Sequence, residues 1–84
     1  MLGRYGTGSS EAIAALVGQL GSDDLGVRLG ALMALDQIAE DGAPDAVVKI
    51  DELRIREEGQ SVWTMFRVEA LPVQARLRSR QENS

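Results

Sequence analysis

The stretch DDLGVRLGALMALDQIAEDG, residues 23–42, decides how the rest of the chain is read. Val27, Ala31, Ala34, Leu35 and Ile38 recur at the three- and four-residue spacing of one helix face. Leu25, Leu29, Leu32 and Met33 lie to the other side of that face. Polar side chains return only with Asp36, Gln37, Glu40 and Asp41, and Gly42 followed by Pro44 marks a stop. A helix that is apolar nearly all round belongs in an interior. Gly26 and Gly30 each cost about 1 kcal/mol relative to alanine inside a helix. Close approach of a second backbone along that strip is the expected offset.

Helical signals continue on both sides. In SSEAIAALVGQLG, Ser9 or Ser10 can cap a helix whose stripe is Ile13, Leu16, Val17 and Leu20, and Gly21 can end it. Ser22 to Asp24 offer the next cap. PDAVVKIDELRIREEG opens on Pro44, tolerated in a first helical turn. It places Val47, Ile50 and Leu53 on one face, with Val48 and Ile55 flanking it, and Glu52 and Arg56 are spaced as an ion pair. A fourth helix follows Ser61, with Val62, Met65, Phe66, Glu69 and Ala70 on one side and Trp63, Phe66, Ala70 and Leu71 on a neighbouring one. VWTMFRV has strand-like composition, but no other segment offers it a partner strand. Pro72 is expected to kink or end this helix near Leu71, with a short helical tail resuming to Arg80. The predicted fold is therefore all-α, as two stacked antiparallel helix hairpins. Residues 1–8, with three glycines, read as a flexible lead, 9–80 as one helical domain and 81–84 as a disordered tail.

Composition narrows the function. Among 84 residues there is no cysteine and no histidine. Disulfides, thiolate or imidazole metal sites, and Ser–His or Cys–His catalysis are thereby excluded. The adjacent acids Asp51–Glu52 and Glu57–Glu58 point to different sides of a helix and do not converge, so no enzyme and no cofactor is expected. The formal net charge of −4 argues against nucleic acid as a partner. The basic end around Arg76, Arg78 and Arg80 reads as a solvated helix terminus suited to the helix dipole. There is no secretory signal and no apolar run long enough to span a membrane, so a cytoplasmic location is expected.

Set one above the other, the two halves repeat helix, turn, helix at an offset of roughly 34–36 residues, with Ala34–Leu35 answering Ala70–Leu71. The run LGSDDLGVRLGALMALDQIAED, with Asp24, Val27, Arg28, Ala31, Ala34, Leu35 and Ile38, resembles a HEAT-type repeat. Residues 13–45 are also similar to a helical segment of actinobacterial pentapeptide-repeat proteins, although no pentapeptide array follows. Beyond Pro44 the pattern departs, with Val62–Trp63 where Val–Arg is expected. The resemblance implies stacked helix pairs that hold partners rather than catalyse. It implies that Asp24 caps the second helix and that Arg28 pairs with an acid of the neighbouring repeat. Gly30 joins these two as a structural position.

A chain this short buries a marginal core, and two hairpins fall short of the three or more repeats such a stack normally needs. The expectation is a protein-interaction module, self-associating or serving as a small subunit, with Leu25, Leu29, Leu32, Met33, Trp63 and Phe66 as the candidate contact residues. The second reading is a small acidic regulator that presents Asp23, Asp24, Glu40, Asp41 and Asp45 to a basic site on a target protein.

Overall fold

A computed structural model describes residues 10–82 of the chain. Four helices follow one another: α1 (Ser10–Gln19), α2 (Leu25–Ile38), α3 (Pro44–Arg56) and α4 (Ser61–Glu82). No strand occurs among the described residues, and Val62–Val68 is helical. The expected lead, residues 1–8, lies outside the described residues, as do Ser9 and residues 83–84. Of the expected tail, Gln81 and Glu82 form the last helical residues of α4.

α1 packs on α2 and α3 packs on α4, giving two hairpins. The hairpins lie side by side, α2 along α4 and α1 along α3. α2 and α4 run parallel: Arg28 meets Phe66, Asp36 meets Arg76 and Arg80, and the Gly42 turn meets Leu77 and Gln81. α3 begins at Pro44 and α1 at Ser10, 34 positions apart, whereas α4 begins at Ser61 and α2 at Leu25, 36 apart.

This arrangement answers the problem posed by α2. Most of its apolar surface is covered within the chain, by α1 on one side and α4 on the other, while Val27 and Met33 stay exposed. Ala31, Leu32 and Leu35 of α2 join Ile50, Leu53, Phe66, Ala70 and Leu77 in a single core. α1 contributes less: Ile13, Leu16 and Val17 only partly withdraw from solvent, and no residue of α1 is fully buried.

The two ends of α2 are set by recognisable chemistry. Asp24 is the N-cap of α2, where Oδ1 accepts from the backbone N–H of Gly26 at 2.8 Å and of Val27 at 3.3 Å. α2 closes at Ile38, four residues before Gly42, and Ala39–Ala43 forms the turn. Gly42 holds φ +92°, and a Cβ there would collide with the Leu77 carbonyl oxygen and the Gln81 side chain. Two stretches of backbone come close at this turn. They do not at Gly30, where a Cβ meets nothing within 4 Å. Gly26 is exposed, and a Cβ there would reach only Asp24 Oδ1. The expected offset by close packing is therefore corrected, because both glycines face solvent rather than a neighbouring helix.

Pro72 also departs from expectation. α4 does not end near Leu71 but runs unbroken for 22 residues. Proline removes one N–H and crowds the carbonyl one turn back. Here Pro72 and Val68 both lie on the solvent side, where water can satisfy that carbonyl, while Ala70, Val73, Gln74 and Leu77 anchor the adjoining turns in the core. On α3 the ion pair that forms is Asp51–Arg54, at 3.6 Å.

Candidate interaction surfaces

The junction between the hairpins is built around Arg28. Its guanidinium donates a fork of two hydrogen bonds to the Glu57 carboxylate, both 2.7 Å. Its Nε–H donates to the Ser22 carbonyl, and the guanidinium carbon stands 5.4 Å from the centre of the Phe66 ring. Arg28 is 1% exposed, so this charge is desolvated and every partner matters. Trp63 completes the cluster, tilted 59° against Phe66 with ring centres 6.0 Å apart. The hydrogen bonds and charge of Arg28 hold the Glu57 carboxyl below its usual range, against the opposing effect of partial burial.

A second junction ties the end of α2 to α4. Asp36 accepts from Arg76 at 2.8 Å and from Arg80 at 2.9 Å. Arg80 also donates to the carbonyls of Asp36 and Ala39, satisfying the open end of α2. The Asp36 carboxyl lies below its usual range, first because Arg76 hydrogen-bonds it and then through the charges of Arg76 and Arg80. Arg78 pairs with Asp51 at 3.1 Å, and buried Gln74 donates to the Val47 carbonyl and to Asp51. Arg76, Arg78 and Arg80 are thus each engaged by a carboxylate of this chain.

Between α2 and α4 runs an open groove of about 480 Å³. Leu29, Leu32, Met33, Glu69 and Val73 line it, together with the Asp36–Arg76 pair. The candidate contact residues divide at this point. Leu32, Trp63 and Phe66 belong to the core. In the single chain they are buried rather than presented at the surface, Phe66 against Arg28 of α2 and Trp63 against Phe66. Leu25 and Leu29 are half-buried against the core, and only Met33 is largely exposed. The structural positions Asp24 and Arg28 hold the cap and the junction, while Gly30 makes no close contact.

The chain matches no protein-family model, no curated protein and no solved structure.

The main apolar surface lies elsewhere, on the second hairpin. Met65, Val68 and Leu71 of α4 are exposed, and Pro72 and Ala75 continue the same outer face. On α3, Val48 and Ile55 are exposed seven residues apart, on the strip that carries Asp51. Asp51 binds Gln74 and Arg78, so that strip borders the Leu71–Gln74–Arg78 side of α4. The signal was present in the sequence: Val48 and Ile55 fall off the Val47–Ile50–Leu53 face, yet are too apolar for an ordinary solvated side. Glu57, the partner of Arg28, carried no sequence signal, since its role depends on how the hairpins stack.

Among the described residues no group of three or more acidic side chains is placed to hold a metal ion. No helix of the described chain is long and apolar enough to cross a membrane.

Proposed function

We propose that the protein is a non-catalytic protein-interaction module with a HEAT-like stack of two helix hairpins, which binds through the outer apolar face of its second hairpin. The observation that carries this reading is the exposure of Val48, Ile55, Met65, Val68 and Leu71 on neighbouring strips of α3 and α4. An apolar surface collected on one side, rather than scattered, is the mark of a contact site. Asp24 as cap and Arg28 reaching across to Glu57 are the roles the HEAT-type resemblance implies for them, and they support the stacked reading.

The second reading, an acidic regulator, draws on one observation. Glu11, Asp23, Asp24, Glu40 and Asp41 are all exposed on the first hairpin, and its lone arginine in the described range is buried.

Photo-cross-linking in the native cells separates the two. A benzoylphenylalanine in place of Val68 is expected to give a discrete protein adduct, and the same residue in place of the exposed Gln37, at the groove between α2 and α4, none. Adducts confined to a probe in place of Asp41 would favour the acidic regulator. No adduct at position 68 above that at position 37 would overturn the apolar-face reading.

A further inference from the structure

Each hairpin uses one flank to pack on the other, so each has a second flank turned away from its neighbour. The two hairpins differ in charge. Residues 10–43 hold six acids and a single base, Arg28, which is buried against Glu57. Residues 44–82 hold seven acids and seven bases, and α4 alone has Arg67, Arg76, Arg78 and Arg80 against Glu69 and Glu82. Arg67 is exposed and forms an ion pair with no carboxylate among the described residues. By helical spacing it shares the α3-facing side of α4 with Leu71, Gln74 and Arg78.

Apolar surface accompanies both charges. The outer flank of the second hairpin exposes Val48, Ile55, Val68 and Leu71 around Arg67. On the first hairpin Val27 is exposed, Ile13, Leu16 and Val17 are only partly covered, and Ala14, Ala15 and Gly18 leave the outside of α1 smooth.

We propose that copies of the chain associate head to tail, the acidic first hairpin of one copy seating on the arginine-flanked apolar flank of the second hairpin of the next. This deepens the interaction-module reading and rests on it. The alternative of like on like is disfavoured by charge: two first hairpins would bring acids against acids, whereas first on second brings acids towards Arg67. Such a contact is heterologous, so every assembly keeps one free flank of each kind at its ends and growth does not stop at two.

The test is the solution mass of the full chain by light scattering, at low and high salt, with two blocked variants. Arg67→Glu/Val68→Glu blocks the second hairpin, and Ala15→Lys/Val27→Lys blocks the first. The wild type is expected to grow past a dimer with concentration, and less so at high salt. Each variant alone stays monomeric, and an equimolar mixture of the two forms a dimer and grows no further. Should a double variant lose its helical circular dichroism, Arg67→Glu alone serves, with an expected loss of about tenfold or more in association constant. A wild type that stays monomeric, one that stops at a dimer, or a mixture that stays monomeric overturns the proposal. A monomeric wild type that still gives the position-68 adduct overturns head-to-tail stacking alone, and one without the adduct removes both readings.

Discussion

Arg28 shows how much one buried charge can organise. The guanidinium has exchanged water for the Glu57 carboxylate, the Ser22 carbonyl and the Phe66 ring. Removing one partner leaves the other charge desolvated, which costs about 3–5 kcal/mol, whereas replacing both by apolar side chains is often nearly neutral. Glu57→Ala is therefore expected to lower unfolding free energy by about 3 kcal/mol, and Arg28→Met/Glu57→Leu by clearly less, as read from urea titrations. The same pair sets a pH dependence. The Glu57 and Asp36 carboxyls lie below their usual range in the folded chain, so the unfolded chain binds protons first as pH falls. Their contribution is complete above the ordinary carboxylate pKa of about 4 and is lost as pH drops through the depressed native values. The urea midpoint should fall below pH 5, and less steeply in Glu57→Gln. Glycines divide by environment in the same way. Gly42→Ala meets both a positive φ and the Leu77 carbonyl, while Gly30→Ala meets open space. The first should destabilise strongly, and the second should stabilise by about 0.5–1 kcal/mol, both measurable by thermal melts.

At the scale of the helix, periodicity and capping made most of the fold legible. Asp24 reads as a cap because its carboxylate can reach the first free N–H groups, and the apolar spacing gives each helix its buried side without reference to the others. Pro72 could not be read so locally. Whether a proline ends a helix depends on what holds the turns around it, and those contacts come from α2 and α3. Pro72→Ala restores a missing N–H on an exposed face, and proline costs about 3 kcal/mol relative to alanine in a helix interior. The variant should melt higher by an amount up to that limit. The candidate site was less legible for a related reason. Trp63 and Phe66 look alike as core residues or as anchors until the partner helix is known. Trp63 is 4% exposed, so its fluorescence should already be blue-shifted in the isolated chain and should not move on dilution or on partner binding.

Across the whole molecule, burial is uneven, and stability should follow it. α2 lies between α1 and α4 and contributes Leu32 and Leu35, neither of them exposed, to the core. α1 holds on through Ile13, Leu16 and Val17, all partly open to solvent. Local opening free energies follow the apolar contacts that opening would break. Hydrogen exchange in the native state should therefore be fastest, among the four helices, in the amides of α1. The slowest amides should lie in the middle of α2 and in the Phe66–Leu77 part of α4. Substitutions should rank alike: Leu32→Ala removes a fully buried side chain and is expected to cost about 3 kcal/mol, and Ile13→Ala about 1 kcal/mol, because part of its surface is already wet. Association through the first hairpin would reverse this order where it matters. A copy seated against α1 covers the same half-open side chains, so protection of α1 should rise with protein concentration while that of the α2 core stays unchanged. Exchange measured at two concentrations reads both effects. Equal protection of α1 at both would confine its marginal stability to the single chain and count against a partner on that flank.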